Sequence, residues 1–187
     1  MNAKITVGVV AVALLGVLVA LPLWSEDDPG AAKPGPEHVK LAKKAGAYDV
    51  GCKFTMAPGQ PPSESKATAE FKSILDGKYL QQTFAGEVGG MKYTGMGVEG
   101  YDPATKKHTF YWCDSLSTTP MYAVGESKDG GKTIENRTEM TDPDTGKSTK
   151  IRCVTTQKSD DEFTFAMYGE QGGGEALMFE LAYTRKK

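Results

Sequence analysis

Phe110, Trp112 and Asp114 stand two residues apart, a spacing that puts all three on one face of a β-strand. A carboxylate beside an indole and a phenyl ring inside a cavity would suit binding or protonation of a small ligand. Asp114 has a second reading. With Ser115, Ser117 and Thr118 behind it, its carboxylate would cap a turn by accepting backbone amides. Arg152, on a later segment, would demand a carboxylate partner if buried, and Asp114 is one candidate. Phe163 and Phe165 repeat the two-residue spacing further along the chain. These six residues, Phe110, Trp112, Asp114, Arg152, Phe163 and Phe165, form the candidate ligand-binding set, and none is assigned a catalytic role.

Other chemistry finds little support. The spacing of Cys52, Cys113 and Cys153 matches no zinc or haem-attachment pattern, and two histidines in the whole chain leave a metal centre short of ligands. The cysteines read either as small buried apolar residues or, in an oxidising compartment, as one disulfide and one free thiol. His38 lies in a short leading helix and His108 follows Lys106 and Lys107, so both are expected to be exposed. Exposure argues against a haem ligand and against His-dependent nucleophilic catalysis, and no Gly-X-Ser-X-Gly elbow occurs. Gly95, Gly97 and Gly100 imitate a nucleotide loop, but a strand and the Asp102-Pro103 turn follow where that fingerprint needs a helix. Glycines in a strand instead mark bending or close approach of another group. No metal or cofactor is expected, and an enzyme of unrecognised type would need perturbed carboxylates such as Asp114 or Glu99 inside an open cavity. A net charge of −2, from 22 basic and 24 acidic residues, supplies no field to gather nucleic acid.

The elements that must position the candidate set follow from periodicity. Tyr48, Val50, Cys52 and Phe54 alternate with polar residues, the pattern of a half-buried strand. Similar segments recur over 65–74, 78–85, 91–99, 107–115, 121–126, 132–140, 147–157, 162–168 and 175–185, separated by Gly-, Pro- and Asp-rich turns. Short links make neighbours antiparallel. About ten such strands would expose two long edges unless the sheet closes, so the expected fold is an all-β, antiparallel up-and-down barrel. Residues 37–45, between Pro36 and Gly46, read as one short helix that acts as a lid or plug.

Ahead of the barrel, Ile5 to Trp24 carries no charge and as a helix would cross roughly 30 Å of hydrocarbon. Residues 1–24 are therefore expected to be a transmembrane anchor or signal helix. The poor small-residue site at Leu18 and Ala20 favours an uncleaved anchor. Lys4 precedes the segment and Glu26, Asp27 and Asp28 follow it, which sends the remainder to the periplasmic or extracellular side. No cysteine ends the apolar run, which excludes a lipoprotein anchor. Residues 25–36 are a Pro/Gly-rich linker, and 37–187 are the barrel domain.

Several motifs carry a resemblance. Gly46-Ala47-Tyr48, Leu75-Asp76-Gly77-Lys78-Tyr79-Leu80, the run from Gly95 to Asp102, Tyr111-Trp112-Cys113-Asp114-Ser115 and Tyr183-Thr184-Arg185 together resemble the bacterial domain-of-unknown-function family 1579, over roughly Glu37 to Arg185. The resemblance implies a lipocalin-like barrel, usually exported, with no established activity. One position departs from it: Tyr48 stands where relatives commonly have tryptophan.

Two functional classes remain open. The first is a binding module holding one small apolar ligand, such as a lipid, among Phe110, Trp112, Phe163 and Phe165. The second is an envelope structural or protein-interaction domain whose aromatics fill the interior. In either, Tyr48 and Arg185 lie on the first and last strands, which a closed barrel makes neighbours, and their cation–π contact is expected to latch it.

Overall fold

The computed structural model describes residues 32–55, 61–88, 90–142, 145–171 and 173–187. The expected anchor or signal helix and most of the linker lie outside them. Among the described residues no helix is long and apolar enough to cross a membrane.

One helix, α1 (Pro36–Ala42), precedes ten strands: β1 (Gly46–Phe54), β2 (Ser63–Ile74), β3 (Tyr79–Val88), β4 (Met91–Asp102), β5 (Lys107–Asp114), β6 (Met121–Glu126), β7 (Thr133–Thr141), β8 (Ser148–Gln157), β9 (Glu162–Gln171) and β10 (Gly174–Arg185). Each strand pairs with its neighbours in sequence, and β1 pairs antiparallel with β10, so the sheet closes into the expected up-and-down barrel. Alternation drives it. Tyr48, Val50 and Cys52 on β1 and Ala67, Ala69 and Phe71 on β2 are buried while the residues between them are exposed, which fixes the register because a one-residue slip would turn every apolar side chain outward.

β4 continues past the expected Glu99 to Asp102, since Tyr101 and Asp102 still find partners in His108 and Lys107. The Asp102 carboxylate then accepts the Ala104 amide at 2.9 Å and the Thr105 hydroxyl at 2.7 Å, closing the turn. The wall is uneven elsewhere. β6 and β7 pair only through Val124, Gly125 and Glu126 opposite Arg137, Asn136 and Glu135.

α1 starts at Pro36 and lies across one end of the barrel, with Leu41 buried beneath it. His38 is buried rather than exposed. Its Nδ1 accepts the Gly35 amide at 3.0 Å, and its Nε2 lies 3.0 Å from the Tyr101 carbonyl, which pins the helix to β4. Below α1 the interior is polar: Lys44 places Nζ 2.7 Å from both Glu99 carboxylate oxygens and 4.7 Å from the Phe163 ring centre. His108 is also buried, contrary to expectation, because β5 turns it inward beneath Tyr101.

Candidate functional site

The half of the barrel away from α1 holds a cavity of about 290 Å³, open at the barrel's end. β5 supplies Phe110 and Trp112, β3 supplies Gln82, Phe84 and Val88, and β9 supplies Phe165 and Met167. Phe54, Tyr93, Met121, Phe179, Leu181 and Tyr183 complete the wall. The rings pack on one another: Phe110 stacks on Trp112 with centres 6.2 Å apart, and Phe165 lies 5.7 Å from Phe110 and 6.0 Å from Phe179. β4 contributes Tyr93 to the wall and glycine where the Trp112 ring lies against it. The Trp112 indole lies flat on Gly95 and Gly97, and a methyl group at either position would collide with it.

The wall carries no Asp, Glu, Lys, Arg or His; its polar groups are Gln82, Tyr93, Trp112 and Tyr183. Trp112 Nε1 donates to the Tyr93 hydroxyl at 2.9 Å and to Asp114 Oδ2 at 3.2 Å. Deeper in, Gln82 Nε2 donates to the Tyr183 hydroxyl at 3.0 Å. Burial pushes both tyrosine hydroxyls well above their ordinary pKa, and they stay protonated.

The six candidate residues separate into three groups. Phe110, Trp112 and Phe165 line the cavity. Asp114 stands behind the indole, and its second reading holds as well: Oδ1 accepts the Leu116 amide at 2.9 Å and the Ser117 amide at 3.1 Å, capping the turn after β5. Phe163 lies at the closed end, stacked on Tyr183 at 4.3 Å and covered by Lys44, and does not reach the open cavity. Arg152 is on the outer face. It grips Glu175 through Nε at 2.9 Å and Nη2 at 2.6 Å and stacks over Tyr168 at 4.0 Å, so Asp114 is not its partner.

Gln82, Phe84, Tyr93 and Tyr183 escaped the sequence reading. For Gln82 and Phe84 the signal was present in the alternation of Leu80, Gln82 and Phe84 within the strand read over 78–85, but nothing local gives an inward glutamine its partner.

Elsewhere the chemistry is muted. All three cysteines are free thiols, Cys52 and Cys153 buried and Cys113 partly exposed. Burial raises the Cys153 thiol to about 12 and shifts Cys52 upward, so neither is a ready thiolate. No group of three or more His, Cys, Asp or Glu side chains among the described residues is placed to hold a metal.

No curated protein matches the sequence. The fold is shared with solved structures of low identity. Rv2717c from M. tuberculosis superposes with a TM-score of 0.58 at 13% identity, covering 82% of this chain and 99% of that one. The S-type phycobiliprotein lyase CPES from Guillardia theta superposes with a TM-score of 0.57 at 11% identity, covering 81% and 93%. The family resemblance carried by the glycine, aromatic and aspartate motifs is met across nearly the whole barrel, with a match over residues 33–185, and the chain belongs to the family described as protein of unknown function DUF1579.

Proposed function

We propose that the barrel is a lipocalin-like carrier that binds one small apolar molecule through its open end, with the domain held outside a membrane by the segment Ile5 to Trp24. The observation that carries this reading is the unfilled space of about 290 Å³ walled by rings and thioethers and free of charged side chains. It is about twice the ~150 Å³ that accommodates benzene in an engineered cavity. A filled interior would instead favour a purely structural barrel.

Native mass spectrometry of the full chain tests the proposal, with a mass lost on denaturation as the expected result. A second readout uses phenylnaphthylamine. With Trp24→Phe, Trp112 is the one indole left of two, and energy transfer from it to the dye reports a probe inside the barrel. Absence of both signals would overturn the carrier reading.

One observation favours the interaction-domain reading. Tyr111 and Tyr122 face each other on the outer surface of β5 and β6, 38% and 57% exposed, with Met96 and Cys113 paired nearby. A concentration-dependent oligomer abolished by Tyr122→Lys would support it, and a monomer at all concentrations would remove it.

A further inference from the structure

Resting on the carrier reading, the polar pair at the cavity's inner wall points to a class of ligand. Gln82 and Tyr183 are 5% and 4% exposed and share one hydrogen bond of 3.0 Å. That bond uses one amide hydrogen and one lone pair of the phenolic oxygen, so the Tyr183 hydroxyl hydrogen, the second Gln82 N–H and Gln82 Oε1 remain unspent. Turning the amide over makes Tyr183 the donor to Gln82 Oε1 and leaves both Gln82 N–H hydrogens and the Tyr183 lone pairs unspent. Either way at least one donor and one acceptor stand side by side in a low-polarity wall, where unmet polar groups are costly. A ligand group that both accepts and donates satisfies the two at once.

Charge narrows the class further. The cavity wall has no cation to receive a carboxylate and no carboxylate to receive an amine. The nearest ionic side chains at the closed end, Lys44 and Glu99, are already joined at 2.7 Å. Beyond the pair, buried His108 Nδ1 and Asn136 Oδ1 have no protein partner, so the floor is polar, and its charges, Lys44 and Glu99, are paired with each other. Towards the mouth the wall becomes apolar, with Phe84, Val88, Met121 and Phe179.

We propose that the barrel selects an uncharged, largely apolar molecule bearing one hydroxyl, bound with the hydroxyl innermost between Gln82 and Tyr183 and the apolar body towards the mouth. Fatty acids and alkylamines are excluded by the cost of burying an unpaired charge.

Competition against phenylnaphthylamine on the full-length Trp24→Phe chain tests this, with decanol, decyl methyl ether and decanoate as competitors. Decanol is expected to displace the dye at a concentration about tenfold below the ether, which cannot donate, and further still below decanoate at neutral pH. Tyr183→Phe should erase the advantage of decanol over the ether, with both competitors read against the dye affinity of that same variant. Equal potency of decanol and ether, or an advantage that survives Tyr183→Phe, would overturn the hydroxyl anchor. Preference for decanoate would overturn the neutral class. Failure of the dye itself to bind would instead sink the carrier reading beneath both.

Discussion

The Arg185 guanidinium lies 4.9 Å from the centre of the Tyr48 ring, and the two residues are directly opposed where β10 meets β1. Arg185 therefore closes the barrel at the seam between its first and last strands, as their order in the chain implied. It also donates to three carbonyls, those of Ala45, Lys43 and Asp160, at 2.6, 2.9 and 3.2 Å. Gly46 is required beside it: its φ is +146°, and a Cβ there would collide with the guanidinium.

Arg185→Ala should consequently lower stability by about 2–3 kcal/mol, the sum of one cation–π contact and a net contribution from the hydrogen bonds. For a chain of this size that is about 4–12 °C in Tm. Dye binding at the far end of the barrel should be unchanged. Arg185→Lys should recover little, because an ammonium cannot reach carbonyls on both sides of the seam at once. A Tm within a degree of the parent would show that the seam is held by the strand ladder alone.

Lys44 and Glu99 form a charge pair whose side chains are only 9% and 16% exposed. Removing one partner strands the other in the interior, so Lys44→Met or Glu99→Gln alone should cost about 3–5 kcal/mol. The double change Lys44→Met with Glu99→Leu should return most of that loss, since two apolar side chains need no compensation. Chemical denaturation of the three variants checks it, and a double variant as unstable as the sum of the singles would contradict it.

Gly95→Ala should displace the Trp112 indole, because the new methyl group would occupy the place of the ring. Overpacking of this kind costs about 1–3 kcal/mol, and it would part Nε1 from Tyr93 and Asp114. In the Trp24→Phe background the expected readout is a shifted Trp112 emission together with lost energy transfer to phenylnaphthylamine. An unaltered spectrum would mean that the strand, not the ring, gives way.

Much of this was legible in the sequence, and the part that was not has two causes. Strand order follows from alternation such as Tyr48, Val50 and Cys52, and the cavity rings from Phe110 and Trp112, because both depend on neighbours two residues away. Arg152 was misplaced although its signal was local: Ile151 and Cys153 flank it and both are buried, so the residue between them had to face outward. The histidines and the polar wall were hidden for a different reason. His38 meets the Tyr101 carbonyl 63 residues away, and Gln82 meets Tyr183 at a separation of 101. Partners that the closed sheet brings together leave no mark on the local pattern.

Burial holds the His108 pKa below the ordinary imidazole value of 6.5. The ions that modulate it are Glu37 and Glu99, which raise it, and Lys44 and Lys40, which lower it. A depressed value means that the unfolded chain takes up the proton first. Stability is therefore full above about pH 6.5 and declines as pH falls from there towards the folded-state value. Hydrogen bonds and ion pairs hold Asp102, Glu126, Asp129 and Glu175 below their usual range, so their losses come at lower pH. Melting curves should show a Tm that falls between about pH 7 and pH 5 in the parent and stays flatter in His108→Gln. Parallel profiles would assign the decline to another group.

The shortest ladder in the wall predicts where the barrel opens. β6 bonds to β7 only from Val124 to Glu126, which leaves Met121 to Ala123 and residues 138–141 without partners across that seam. Met121 is also part of the cavity wall, so the weakest seam borders the ligand space. Hydrogen exchange should be at least about tenfold faster for peptides covering 121–123 and 138–141 than for β3, which is laddered on both sides. Adding phenylnaphthylamine should slow exchange at 121–123 more than at Tyr48 to Phe54, where β1 is paired to both β2 and β10. Uniform protection around the barrel would show that the core cluster holding Met121 and Ala123 of β6, with Met140 of β7 packed against it, closes the seam as firmly as a ladder would. Ligand entry would then be confined to the open end.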